Sequence, residues 1–286
     1  MLIYVYELIS LACLFVIASI SLNLIVARTG LFSLAHGGLL GIGAYLFAIA
    51  VLRLGIPPAV AILLSMAGTA FFGALLAAPS INLDEEKFAV VTLSIHLLIV
   101  VSLINWVSVT GGAYGIAEIP KLTLLGIDPQ LTFTGLILAI TIGTYWFMSR
   151  LENSRFGLLL YASAVDPAMV ESLGGRVWRL KVAAFAIGSA GAGLAGSVYA
   201  MHAGYIAPNL FELQLSVMIL AMVIFGGAKS MAGAAIGAIV LTLIPELLRF
   251  AAFSTVSAGP VRQIVFGCIL VLAVFVHARG SKGQHA

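Results

Sequence analysis

A succession of long apolar runs, separated by short polar ones, leaves this chain one kind of solvent to fold in. The run 8–27 carries no charged residue, and a helix of about 20 residues crosses the roughly 30 Å hydrocarbon core of a bilayer. Comparable runs lie at 2–27, 35–52, 57–79, 88–107, 131–149, 181–201, 213–225, 231–248 and 261–276. In lipid every backbone polar group must be satisfied within the segment or between segments, so runs of this length are helices. The expected fold class is all-α, a polytopic transmembrane helical bundle of about 8–10 spans, with broken helices. The seventh run is short, which marks it as a broken or re-entrant segment.

Composition agrees. Only 9% of the 286 residues are charged and 62% are apolar, against about 25% charged in soluble domains. A formal charge of +3 is too small to indicate a nucleic-acid partner. Cys13 and Cys268 both sit inside apolar runs without a CxxC or ligand pattern and read as small buried hydrophobes. A secretory signal is not expected at the start. Nothing basic precedes the first run, which is longer than a signal's apolar core of about 7–15 residues. The whole of 1–286 reads as one membrane domain.

Orientation follows from Lys and Arg. With the N-terminus outside and the C-terminus inside, the inner segments hold ten of them: Arg28, Lys87, Arg150, Arg155, Arg176, Arg179, Lys181, Lys229, Arg279 and Lys282. The outer segments hold four, Arg53, Lys121, Arg249 and Arg262. Two loops are longer than bare connectors: an outer one at 108–130, rich in Gly and Pro, and an inner one at 150–180, the most polar stretch of the chain.

The inner loop encodes a short helix at 166–174. Asp166 stands at the N-cap with Pro167 at the first helical position, and Gly174 stands where a left-handed residue ends a helix. Met169, Val170 and Leu173 share one face by i+3 and i+4 spacing, with Glu171 between them. Such a helix either rests on the membrane surface or docks into a groove of a cytosolic partner. Spacing alone leaves both open.

Small and polar residues interrupt two other places. One is Thr29-Gly30-Leu31-Phe32-Ser33-Leu34-Ala35-His36-Gly37-Gly38, leading into Gly41 and Gly43; the other is Thr110-Gly111-Gly112-Ala113-Tyr114-Gly115. Transporters place substrate at broken helices, because unwound backbone in a membrane lines a cavity or is buried in protein. Ser33, His36, Thr92, Thr110 and Gly111 are therefore candidate path residues, with Ser33 able to cap the following helix. The competing reading is helix packing through Gly37/Gly41 and Gly233/Gly237, both GxxxG pairs. His36 and His96 are the histidines inside expected spans. Neither has a second ligand at metal spacing, so no metal is expected.

Three motifs are decoys. Gly226-Gly227-Ala228-Lys229-Ser230 lacks the Gly that a nucleotide-binding loop needs directly before its Lys. Gly188-Ser189-Ala190-Gly191 suggests a serine nucleophile, but His202 lies thirteen residues on, about 20 Å along a helix. Asp84-Glu85-Glu86 beside Lys87 reads as solvated charge.

Taken together, Ser33-Leu34-Ala35-His36-Gly37 running into Gly41-Ile42-Gly43-Ala44-Tyr45 resembles the signature of the branched-chain amino-acid type ABC importer permeases. Phe88-Ala89-Val90-Val91-Thr92-Leu93, Thr110-Gly111-Gly112 with Gly115-Ile116 and Ile119-Pro120, Leu173-Gly174 before Lys181, Ala192-Gly193-Leu194-Ala195-Gly196, and Ile219-Leu220-Ala221-Met222-Val223 before Gly226-Gly227 resemble its Liv-M-like member. The resemblance implies a sister permease subunit, two cytosolic ATPase subunits, and a periplasmic or lipid-anchored substrate-binding protein. The assembly would sit in a bacterial or archaeal cytoplasmic membrane. This chain would carry no cofactor; ATP and Mg would belong to the partner ATPase subunits. It also implies that the 166–174 helix is the coupling helix, through Asp166, Met169, Val170, Glu171, Leu173 and Gly174. His277-Ala278-Arg279-Gly280 and Glu171 depart from the usual family pattern. The family also serves urea, short amides and other small solutes. A stand-alone secondary transporter would need intramembrane acids as coupling sites, and only Glu7 and Glu246, near span ends, approach that. An intramembrane enzyme fails on the separation of Ser189 and His202.

Overall fold

A computed structural model describes residues 2–80, 83–122, 129–228, 230–250 and the single position 267. Eleven α-helices are found among them, and eight coincide with expected runs. These are α1 (Leu2–Thr29), α2 (His36–Leu52), α3 (Pro58–Ser80), α4 (Glu85–Asn105), α6 (Pro129–Glu152), α9 (Val177–Ala203), α10 (Leu213–Gly226) and α11 (Met231–Phe250). Three short helices, α5 (Val107–Thr110), α7 (Arg155–Val165) and α8 (Pro167–Ser172), lie in the two long loops. The ninth expected run, 261–276, lies outside the described residues. Six helical stretches are long and apolar enough to cross a membrane, and α2 and α11 are shorter apolar helices. The molecule is a multi-pass helical membrane protein.

Burial separates centre from rim. Helix α1 is apolar all round and sits at the centre, with Leu14, Ile17, Ile20, Leu22 and Leu24 fully buried. It packs on α6, α9, α10 and α11, while α9 packs on α1, α2 and α3. Helices α3 and α4 instead turn Leu63, Leu64, Phe71 and Leu75, and Val90, Leu97, Leu98 and Val101, outward. Water would penalise such faces; lipid does not.

Helices α1 and α6 run side by side in the same direction. Gln130 Nε2 donates to Glu7 Oε1 at 2.6 Å and Ser10 meets Thr134 at 3.2 Å near one end. Near the other, Arg28 and Glu152 form an ion pair at 2.6 Å. Parallel neighbours are what the alternation of spans requires of the first and fifth. The Arg28 guanidinium also lies 5.7 Å over the Tyr161 ring of α7, so one side chain holds the ends of α1 and α6 and the loop helix together. Glu152 is 9% exposed, and breaking such a pair leaves a charge without compensation. Arg28→Met is expected to cost about 3 kcal/mol, the lower end for buried pairs because Arg28 keeps some solvent contact. The double variant Arg28→Met/Glu152→Met should recover most of that in thermal unfolding of the purified protein. Equal losses in the single and double variants would show that the pair does not carry the contact.

Small residues set the tightest crossings. A Cβ on Gly43 of α2 would sit 2.9 Å from the carbonyl oxygen of Gly193 on α9, and one on Gly196 would meet the Leu40 carbonyl. These glycines let two backbones touch. The hairpin of α10 and α11 is closed the same way by Gly226 against Gly233. The seventh run, 213–225, is not itself broken: it forms the single continuous helix α10, and the 3₁₀ turn at Pro208–Phe211 and the extended Glu212 lie just before it. Asn23 Nδ2 donates to Ala228 O at 2.9 Å, so the α10–α11 turn reaches the level of Asn23, about 9 Å short of the end of α1.

Candidate functional site

After Gly30, whose φ of +71° ends α1, the chain folds back into the bundle. Leu31, Ser33 and Ala35 are at most 3% exposed, and α2 opens at His36, whose Nε2 lies 3.0 Å from Ser21 Oγ. Ser21 is eight residues from the end of α1, about 12 Å along the helix. The first break is therefore a re-entrant segment that starts α2 inside the bundle.

A helix start buried there must satisfy its own N–H groups, and neighbouring helices do so. Ser216 Oγ of α10 accepts from Gly37 N at 2.8 Å, and His96 Nδ1 of α4 accepts from Gly38 N at 3.1 Å. Ser216 Oγ and His96 Nδ1 are themselves 3.1 Å apart. Thr92 Oγ1 accepts from Leu34 N at 3.1 Å and donates to Ala89 O. Ser33 is not the cap of α2: that position is Ala35, without a side-chain bond. Ser33 Oγ instead accepts from Ala35 N at 3.3 Å in a local turn, two residues before the cap position.

These contacts fix both imidazoles. Backbone N–H groups only donate, so Nδ1 of His96 is an acceptor and the neutral ring carries its proton on Nε2. Ser21 spends its hydroxyl proton on Ala18 O at 2.8 Å, so the contact with His36 uses the Nε2–H of that ring, leaving Nδ1 as an acceptor. His96 Nε2 and His36 Nδ1 are buried with no hydrogen-bond partner among the described residues. The site thus holds one open donor and one open acceptor on rings that are both 0% exposed.

Sequence reasoning found Ser33, His36 and Thr92, which the structure brings together; Ser33 and Thr92 also line one small cavity with Phe88 and Phe185. It noted His96 but missed Ser21 and Ser216. A serine in an apolar helix is common, and only the fold reveals which helix ends it serves. Thr110 and Gly111 lie elsewhere. The Thr110 hydroxyl donates to Leu103 O at 2.6 Å and accepts from Gly112 N, and Leu103 is eleven residues past Thr92, about 16 Å along α4. Gly111 and Gly112 take φ of +77° and +62°, turning the chain toward an isolated antiparallel pair of Ile116 and Ile206. His202, placed between spans by the sequence, belongs to the last turn of α9 and lies 3.8 Å from Glu7. Ser189, the serine of the Gly188-Ser189-Ala190-Gly191 motif, packs against Gly73 of α3. Among the described residues no group of three metal-ligating side chains occurs.

In the long loop, Asp166 Oδ1 accepts from Met169 N at 3.0 Å and caps α8 as its sequence requires. Gly174 has φ of +82°, and Gly175 N donates to Val170 O, closing the helix end. The apolar face splits, however. Val170 is 4% exposed, whereas Met169 and Leu173 are 59% and 79% exposed. Because α8 packs along α7, Val170 points inward as its anchor and is not part of an outward contact. Helix α7 was missed, although Ser154, which accepts from Gly157 N, was a legible cap.

A family model described as "Branched-chain amino acid transport system / permease component" matches residues 4–274. The high-affinity branched-chain amino acid transport system permease protein LivM of Escherichia coli K12 is 32% identical over 267 residues, covering 84% of this chain and 62% of that protein. Its Salmonella typhimurium counterpart is 30% identical over 265 residues, with the same coverage. A probable branched-chain amino acid transport permease protein LivM of Methanocaldococcus jannaschii is 26% identical over 217 residues, covering 73% of this chain and 63% of that protein. The chain spans about 62% of the length of the first two relatives. No solved structure matches it. With a helical bundle broken at its glycine-rich segments and a family match along nearly its whole length, the chain belongs to the family of branched-chain amino acid transport system permease components.

Proposed function

We propose that this chain is a membrane-spanning permease subunit of an ATP-binding-cassette importer, forming half of the path for a small polar solute. Branched-chain or other amino acids are the proposed cargo, ahead of urea and short amides. ATP and Mg would be bound by two separate cytosolic ATPase subunits. A sister permease would complete the path, and a periplasmic or lipid-anchored protein would deliver the solute. The observation that carries this reading is α8, a capped helix at whose end Met169 and Leu173 are largely uncovered by the described residues.

The path is proposed to run past the buried start of α2. An amino acid presents a donating ammonium and an accepting carboxylate, and the open acceptor of His36 and open donor of His96 complement that pair. Ser33 and Thr92 are proposed to line the same stretch. Thr110 and Gly111 are assigned to the opposite mouth, where the left-handed turn at Gly111 shapes the backbone. A secondary transporter is disfavoured because Glu7 and Glu152, which flank the central helix, are engaged near its two ends by Gln130 and Arg28.

Reconstituted with its partner subunits, the chain should support leucine uptake that requires ATP and the binding protein. Uptake driven by an ion gradient alone would refute the importer reading. The proposed orientation, N-terminus outside, has its own test. Asn153→Cys and Tyr114→Cys, both at exposed positions, should react with impermeant reagent from the cytosolic and outer sides respectively in a background lacking Cys13 and Cys268. Reaction of both from one side would refute it.

A further inference from the structure

We infer that the groove between α3, α6 and α9 is a binding site for one anionic phospholipid, in the leaflet at the α7–α8 end. Helix α6 packs on α1, and α3 packs on α9, but α3 and α6 stand apart with α9 as the floor between them. The resulting space is about 500 Å³, lined by Met66 and Ala70, Ile140 and Phe147, and Ala186 and Ala190. The hydroxyl among its linings, on Thr144, is spent on Ile140 O at 2.8 Å. A Cβ on Gly143 would meet nothing within 4 Å among the described residues, so the wall they form is open there.

Size selects the occupant. The groove falls within the roughly 300–1,000 Å³ of small-molecule sites. A chain of methylenes fits a groove of that size.

Charge selects the lipid class. Arg150 is seven residues, two helical turns, beyond Gly143 and so shares its face of α6; Arg179 stands seven residues before Ala186 on the groove side of α9. Both are exposed, and neither has a carboxylate within ion-pair distance among the described residues. Each stacks on a neighbouring indole, Arg150 on Trp146 at 5.5 Å and Arg179 on Trp178 at 5.4 Å. Tryptophans with part-exposed rings mark the headgroup level. Two unpaired guanidiniums at that level, one on each wall of an apolar groove, suit a phosphate above an acyl chain.

The test uses the full chain purified with its membrane partners, in nanodiscs of mixed phosphatidylglycerol and phosphatidylcholine. Native mass spectrometry of retained lipid should favour phosphatidylglycerol by about 25-fold, about fivefold for each arginine. Arg150→Gln/Arg179→Gln should lose that preference while still retaining lipid, and Gly143→Leu, which fills the groove, should lose retained lipid of both kinds. A photoreactive residue at 143 should form a lipid adduct. No phosphatidylglycerol preference in the parent, or an undiminished one in the arginine pair, would refute the inference. A protein adduct at 143 would refute it too, by showing that a helix of this chain or of another subunit fills the space.

Discussion

Leu173→Asp is expected to strip the ATPase subunits from the complex. The side chain is 79% exposed at the C-cap of a helix of six residues, far below the about 12–15 residues at which an isolated helix becomes marginal. Such a helix is held by its anchor, Val170, and by whatever covers Met169 and Leu173. A carboxylate placed in that apolar contact should cost at least about 2 kcal/mol, or roughly 30-fold in affinity. ATPase recovery and its stimulation by loaded binding protein should both fall, while the binding protein's own affinity stays unchanged. Gly174→Val should act through the backbone. A β-branched residue at φ of +82° is strained by about 1–3 kcal/mol, although open space surrounds the position. Gly174→Asn tolerates a left-handed backbone and should retain most coupling. If α8 rests on the membrane surface instead, Leu173→Asp will leave ATPase recovery and stimulation at parental values.

His96→Leu and His96→Asn are expected to fail in different ways. Leucine removes the acceptor of Gly38 N–H at a fully buried site. An unsatisfied group there costs about 1–3 kcal/mol, so yield and thermal stability should drop together with uptake. Asparagine can place its carbonyl where Nδ1 stands and keep that bond, but it has nothing at Nε2. Folded complex should then be recovered at parental levels while leucine uptake falls about 10–100-fold, the worth of one hydrogen bond to a charged group. Parental uptake by a well-folded His96→Asn complex would remove His96 from the solute path. Loss of uptake with intact assembly is not expected from a ring that only caps a helix.

The sequence by itself determined the eight long apolar helices, because an apolar run of about 20 residues in lipid has no other way to satisfy its backbone. It also determined the ends of α8, since Asp166, Pro167 and Gly174 act within one turn of where they stand. The parallel pairing of α1 and α6, the depth at which α2 begins, and the split of the α8 face into Val170 inward and Met169 and Leu173 outward were decided by tertiary structure alone. Each depends on residues more than a hundred positions apart or on which neighbour a helix meets. Ser33 illustrates the limit: its type and position suit a cap, yet the re-entrant bend hands the work of satisfying α2 to Ser216 and His96. Polar residues in an apolar span announce that something buried needs a partner. Which N–H they serve, and which of their own atoms are left open, is a matter of three-dimensional distance that no spacing along the chain encodes.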